Sequence, residues 1–469
     1  MEKIKSIHFV GIKGVGLTPL AVIAHEAGLI VTGSDIAEIF ITDEALSKVG
    51  IVPYVGFDKE HVGDVDLIIT TGAHGGLQNP EVVAAVEKGI PVWTRAEAIG
   101  NFMKGEIFGK KFKGISVAGT HGKTTTTAMI VTIMKNAGID PSYLVGTSDI
   151  GGVDLPGHFG KGQYFIAEAD EYATEPQSDH SAAFLWHHPS LALFTNIEHD
   201  HPDIYPDLES VEKAFKSFSE QVEDTLIGCG DDERVYALMK SGKIKSVSYG
   251  FSPKNDYVLE RVSVSGDRTF FHVIGMGVDL GEWSVQVMGD HNALNALGAI
   301  VTCIEAGMSL EKIKEGIQHF QGTKRRLEYR GVLTTGAVVY DDYAHHPTEI
   351  KKTLHSLKQR YTNENIYCVF QPHTYSRTKA LYSEFLRCFE DADTVILTDI
   401  YASLREGIDS TVSSQRLGED ISRMKKNVFY IPLKSIATYI KNMRLGSEDV
   451  IVFMGAGDVY KEIDSLDFK

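Results

Sequence analysis

A strand-like run, Gly114-Ile115-Ser116-Val117-Ala118, leads into Gly119-Thr120-His121-Gly122-Lys123-Thr124. These residue types in this order suit phosphate. The N–H groups of a glycine-rich turn converge on phosphate oxygens, and the dipole of the helix that follows adds a favourable field. Lys123 supplies a point charge for β- and γ-phosphates, and the Thr124 hydroxyl is a ligand for Mg2+. The longer GxxxxGK[ST] pattern is not met, because Val117 stands where its first glycine belongs.

Other polar groups also follow strand-like runs. Glu168-Ala169-Asp170-Glu171 puts carboxylates where a magnesium ion beside a phosphate loop needs them, with a solvated acidic turn as the competing reading. Asn196-Ile197-Glu198-His199-Asp200-His201-Pro202-Asp203 carries two histidines, and spacing alone does not choose between His199 and His201 as a metal or phosphate group. The side-chain amides of Gly289-Asp290-His291-Asn292-Ala293-Leu294-Asn295 suit adenine edges, or serve as helix caps. Lys324-Arg325-Arg326 offers three cations for a transferring phosphoryl group, or a solvated basic run. Asp341-Asp342-Tyr343-Ala344-His345-His346-Pro347 and Gln371-Pro372-His373-Thr374-Tyr375-Ser376-Arg377 present polar groups for a second substrate, although His345 also reads as a structural histidine. Near the start, Gly11-Ile12-Lys13-Gly14-Val15-Gly16 makes a phosphate-friendly turn. Pro19 breaks GxGxxG, so nicotinamide chemistry is not expected.

Elements that position these groups follow from the alternation of strand, glycine-rich turn and helix, which predicts α/β domains with mostly parallel sheets. At 469 residues the chain is too long for one core. The reading divides it into domains 1–108, 109–322 and 323–469, with a polar, basic, glycine-flanked junction at 104–113. Expected strands are 6–10, one ending at Ser34-Asp35, 67–70 and 89–93 in the first domain. Pro91 puts the last of these at an edge or a strand start. The second domain is expected to hold strands 114–118, 164–168, 191–195 and 225–229, then hairpins over 246–287. Strands 338–341, 366–370, 395–398 and 450–454 follow in the third. In open α/β sheets ligands bind at the carboxyl ends of such strands.

With 46 Lys+Arg against 63 Asp+Glu the net charge is −17, which disfavours nucleic acid as a partner. The hydrophobic fraction of 43% supports full folding, and no apolar run is long enough to span a membrane. Cys229, Cys303, Cys368 and Cys388 are far apart and lack CxxC spacing, so neither a disulfide framework nor a zinc site is expected, and a cytoplasmic location fits.

Taken together, and in their order, these motifs resemble the Mur ligases over nearly the whole chain. The likeness is carried by His8-Phe9-Val10-Gly11-Ile12-Lys13-Gly14, the 119–124 loop, Glu168-Ala169-Asp170-Glu171, and Thr195-Asn196-Ile197-Glu198 with Asp200-His201. Gly289 with His291-Asn292, Arg325-Arg326-Leu327-Glu328 and the Tyr343 and Gln371 stretches add to it. It is strongest to the branch that joins L-alanine to UDP-N-acetylmuramate with ATP and Mg2+, by way of an acyl phosphate, in peptidoglycan precursor synthesis. The resemblance implies a Rossmann-like N-terminal domain, a central P-loop ATPase domain and a Rossmann-like C-terminal domain. It implies UDP-sugar binding at Gly14, Val15, Gly16, Ser34 and Asp35. ATP would lie on Gly119, Thr120, His121, Gly122, Lys123, Thr124 and Thr125, with His291, Asn292 and Asn295 near adenine and Arg326 and Asp342 bringing in the third domain. Thr124, Glu168 and His201 are implied as the metal set; Lys123, Glu168, His201 and Arg326 as catalytic; Tyr343, His345 and Arg377 as facing the amino acid. A tripeptide-recycling ligase and a non-catalytic UDP-sugar binder are the alternatives. The chain departs from the family at Lys13, Pro19, the 172–189 stretch and Thr374, where many relatives carry arginine.

Overall fold

The computed structural model describes residues 4–403 and 406–469. Three sheets follow one another along the chain. The first has five parallel strands in the order Tyr54–Val55, Ile30–Asp35, Ser6–Val10, Leu67–Thr70, Val92–Thr94. This is the order of a Rossmann-type half-sheet, whose crossover point lies outside the carboxyl ends of the central strands. The Gly11–Gly16 turn sits there, and Thr18–Glu26 leaves it as a helix with Pro19 in its first turn, where the missing N–H costs nothing. Strand Val92–Thr94 starts just after Pro91 at the sheet edge.

The central sheet has ten strands. Parallel strands Lys113–Ala118, Tyr164–Ala169, Leu191–Phe194, Thr225–Cys229 and Lys245–Gly250 form its body. An antiparallel meander, Tyr257–Ser265, Arg268–Gly275 and Val278–Val285, extends one side. On the other side lie Ser142–Leu144 and Gly157–His158, which the sequence reading did not anticipate. Helix Lys123–Asn136 begins with four threonines, poor helix formers in isolation, yet Thr124 to Thr127 are all buried. Packing against helix Asp290–Glu305 and the sheet holds it, and the Thr127 hydroxyl bonds back to the Lys123 carbonyl at 2.8 Å.

The third sheet has six strands in the order Glu328–Val332, Val338–Asp342, Asp449–Met454, Asn365–Phe370, Thr394–Leu397, Val428–Tyr430. All pairs are parallel except the first. The basic run 324–326 therefore opens an antiparallel edge strand, an element that charge patterning alone conceals. A two-stranded hairpin, Ala173–Glu175 with Asp179–Ala182, accounts for the divergent 172–189 stretch. All four cysteines are free and buried, and no described helix is long and apolar enough to cross a membrane.

First and central domains meet at His158. Its Nδ1 lies 2.7 Å from Glu26 and its Nε2 3.0 Å from Asp140. The Glu26 bond raises its pKa above the ordinary 6.5, burial opposes that, and Asp140 adds to the rise. A raised folded-state value means stability fully present below about pH 6.5 and lost as pH climbs through the folded pKa. The melting-temperature advantage of the native chain over His158→Asn is therefore expected to be largest at about pH 6 and to shrink towards pH 9. An advantage unchanged across that range would contradict the charged pairing.

Candidate active site

Strand Lys113–Ala118 delivers the phosphate-type loop to the carboxyl edge of the central sheet. Gly119 has φ +140° and Gly122 φ +81°, both in the left-handed region that side chains avoid. A Cβ on Gly119 would sit 1.9 Å from Thr195 Oγ1, and one on Gly122 2.6 Å from Asn295 Oδ1. The loop is braced from the next strand end. The Thr195 hydroxyl donates to the His121 carbonyl at 2.6 Å, and the His121 N–H donates to Asn196 Oδ1 at 2.9 Å. Lys123 curls back over the loop, with Nζ 2.7 Å from the Gly119 carbonyl and 2.7 Å from Glu171 Oε2. Burial disfavours its charge, but Glu171 and then Asp170 outweigh that and raise its pKa.

Carboxylates cluster beyond the lysine. The Thr124 hydroxyl is 3.2 Å from Glu168 Oε2, whose other oxygen accepts the Gly146 N–H at 2.6 Å. Burial pushes the Glu168 carboxyl upward. Glu171 Oε1 is buried without a hydrogen-bond partner and faces His201 Nε2 at 3.9 Å. Hard oxygens of this kind, one of them unsatisfied, fit Mg2+. His201 adopts φ +55° and lines the adjoining cleft, while the His199 ring is turned away onto the Tyr205 carbonyl at 2.9 Å.

Two cavities meet at the loop. The smaller, of 250 Å³, is lined by His121, Gly122, Thr125, His291, Asn292, Asn295, Arg326 and Asp342, with Tyr249 and Phe251 as aromatic walls. The larger, of 540 Å³, is walled by all three domains: Val15, Gly16 and Arg95 from the first, Thr120, Lys123, Thr124, Glu168 and His201 from the second, Arg326, Tyr343, His345 and Arg377 from the third. Ser34 and Asp35 are not among the residues lining either cavity. Ser34 is buried with its hydroxyl on Glu81 and its carbonyl accepting the Gly11 and Ile12 N–H groups, and Asp35 accepts the Lys13 N–H at 2.8 Å, so both brace the Gly11–Gly16 turn from behind.

Among the interdomain contacts of the described residues, three bear directly on the loop and its cleft. Arg377 Nε donates to Asp200 Oδ1 at 2.7 Å, with both side chains buried. Arg326 reaches the Thr124 hydroxyl at 3.4 Å, and His121 Nδ1 lies 3.4 Å from Glu349 Oε1. Burial disfavours the Asp200 charge, but Arg377 overrides it and holds the carboxyl well below its usual range. Asp342 accepts the Leu327 and Ala344 N–H groups, yet burial dominates and lifts its pKa to about 7. Burial likewise depresses His345 to about 4 and His291 to about 3, so both are neutral at pH 7.

Several participants escaped the sequence reading. Arg95, at the start of a helix capped by Thr94 and Glu97, bonds Asp170 at 2.8 Å and packs on Gly16. Its place after strand Val92–Thr94 was the available signal. Glu349 sits a helical turn beyond His345, and Tyr249 and Phe251 end a strand far along the chain. Nothing local marks any of the three.

This geometry has counterparts in known proteins. The family described as "Mur ligase family, catalytic domain" matches residues 6–106, "Mur ligase middle domain" matches 117–303, and "Mur ligase, glutamate ligase domain" matches 325–457. The UDP-N-acetylmuramate--L-alanine ligase of Desulfitobacterium hafniense is 38% identical over 464 residues, covering 98% of this chain and 99% of that one. Among solved structures, the UDP-N-acetylmuramate-alanine ligase of Thermotoga maritima superposes with a TM-score of 0.79 at 28% identity, covering 97% of each chain. A murein peptide ligase from Psychrobacter arcticus reaches a TM-score of 0.70 at 22% identity over 98% of each chain, a likeness of fold alone. With three successive family matches and a full-length relative at this identity, the chain belongs to the Mur ligase family.

Proposed function

We propose that the protein joins L-alanine to UDP-N-acetylmuramate with hydrolysis of ATP, as a peptidoglycan-precursor ligase of the cytoplasm. The observation that carries this reading is the 540 Å³ cleft, in which one wall comes from each domain and which Gly16, Lys123 and Arg377 all line. The division of labour follows domains 1–108, 109–322 and 323–469: UDP-sugar on Gly14, Val15 and Gly16, with Ser34 and Asp35 supporting that turn; ATP on 119–125 with His291, Asn292, Asn295 and Asp342; amino acid at Tyr343, His345 and Arg377.

In this reading the sugar-linked carboxylate attacks the γ-phosphate, giving an acyl phosphate and ADP. Lys123 and Arg326 offset charge on the transferring group. Thr124, Glu168 and His201 would hold Mg2+, which supplies further charge neutralisation when bound. Arg377 orients the amino acid carboxylate and the alanine amine then attacks the acyl carbon, releasing inorganic phosphate. A neutral His345 beside the amine does not repel it. Docking of the third domain over the loop keeps water from the acyl phosphate.

The test is phosphate release by the native chain with ATP, Mg2+ and UDP-N-acetylmuramate, comparing L-alanine, L-serine, glycine and a tripeptide. Release strongest with L-alanine is expected. Release only with tripeptide would transfer the enzyme to recycling, and none with any acceptor would leave a UDP-sugar binder.

A further inference from the structure

His121 of the phosphate loop, Glu198 beyond strand Leu191–Phe194 and His346 at the cap of helix Pro347–Arg360 converge where the central and C-terminal domains meet. One ligand atom from each lies within 4.8 Å of the other two. His121 Nε2 is 3.4 Å from Glu198 Oε2, His346 Nδ1 is 3.9 Å from the same oxygen, and the two rings stand 4.5 Å apart. Both histidines are buried.

The outer contacts are those of metal-binding histidines. A ligating imidazole uses its second nitrogen to donate to a carboxylate or a backbone carbonyl, which fixes tautomer and ring orientation. Here His121 Nδ1 faces Glu349 Oε1 at 3.4 Å, and His346 Nε2 faces the His199 carbonyl at 3.3 Å. Each inward nitrogen is thereby turned towards Glu198. The Thr348 hydroxyl, 2.6 Å from Glu198 Oε2, orients the carboxylate in turn.

We propose that His121, Glu198 and His346 form a site for a divalent transition metal of the zinc class, which staples the C-terminal domain to the phosphate loop. Two imidazoles and one carboxylate suit Zn2+ or Co2+ and disfavour Mg2+, which prefers oxygen, so the site is distinct from the Thr124–Glu168 oxygens. Ligands of a tetrahedral ion stand about 3.3 Å apart, so the cluster needs to contract by up to about 1.5 Å to hold one. Two existing contacts are displaced: the 3.4 Å hydrogen bond between His121 Nε2 and Glu198 Oε2, whose proton the metal replaces, and the 3.2 Å approach of the Thr348 N–H to His346 Nδ1. A metal here bridges two domains that must part to admit nucleotide, so it slows turnover. This inference rests on geometry alone and stands whichever amino acid the enzyme accepts.

The test uses the full chain, stripped of metal and kept in excess Mg2+ without nucleotide, titrated calorimetrically with Zn2+. His346→Asn retains a helix-capping side chain and removes one ligand. The native protein is expected to bind one more equivalent of Zn2+ than H346N, or to bind it at least ~10-fold more tightly. Turnover of H346N in Mg-ATP should also resist Zn2+ concentrations that inhibit the native enzyme. Glu198→Gln, which keeps the bond from Thr348, provides a second variant should H346N fold poorly. Equal Zn2+ uptake by native protein and a folded variant overturns the site, and equal inhibition overturns the staple.

Discussion

Replacing Lys123 with alanine is expected to lower turnover by roughly three orders of magnitude, about 4 kcal/mol of barrier, while UDP-sugar affinity changes by less than about twofold. The loss is large because Nζ is the cation nearest the loop carbonyls, held by the Gly119 oxygen and Glu171 at 2.7 Å each. Its removal strands a buried carboxylate. Glu171 is 2% exposed and already has one oxygen without a hydrogen-bond partner, so the variant loses stability as well as charge, and melting temperature must be followed alongside rate. Single-turnover phosphate release and calorimetric binding of the UDP-sugar are the paired measurements. Were sugar binding lost together with turnover, the separation of the two sites into different domains would fail.

Asp200→Ala has the second largest expected effect, and it acts on architecture. Asp200 and Arg377 are 6% and 5% exposed and meet at 2.7 Å across the domain junction. Deleting one member of a buried pair leaves the other charge without compensation, a cost of about 3–5 kcal/mol. Arg377 also donates to the His373 carbonyl at 2.7 Å, so in the variant it remains tethered to its own domain while losing its hold on the central one. The expected result is a lower melting temperature and a KM for L-alanine raised at least ~10-fold. Removing both charges, as Asp200→Ala with Arg377→Met, should restore part of the stability and none of the activity. A single variant as stable as the native chain would show that the junction is held elsewhere.

Much of this molecule was legible in its sequence. Strands 6–10, 67–70 and 225–229 appear at the expected residues, because short apolar runs bounded by glycine and polar turns have few other uses in a parallel sheet. Elements with weak local signals were missed. Ser142–Leu144 and Gly157–His158 are too short for periodicity, and Glu328–Val332 is half-exposed and begins in a charged run. The phosphate-type loop stood out because its glycines are needed for backbone φ values and close approach, and those demands are local.

Pairing across the fold is another matter. That Lys123 would meet Glu171 rather than Glu168 was not written in the Glu168-Ala169-Asp170-Glu171 run, where strand geometry turns alternate residues to opposite faces only until the strand ends at Ala169. His199 and His201 differ by two positions and shared every local feature, yet a left-handed residue at His201 sends its ring into the cleft while His199 bonds a nearby carbonyl. Ser34 and Asp35 stand at a strand end where ligands commonly bind, but Glu81 and the Lys13 N–H claim them from within the first domain.

The sequence alone determined the α/β class, the order of the domains, the loop that faces phosphate and the strand ends that carry polar groups, since each depends on residues within a few positions of one another. Tertiary structure decided which of those groups come together: Arg95 with Asp170, Arg377 with Asp200, and His121 with Glu198 and His346. Those pairings join residues from about 75 to 225 positions apart along the chain; neighbouring strands of the central sheet bring His121 to Glu198, and the packing of one domain on the next brings the others together.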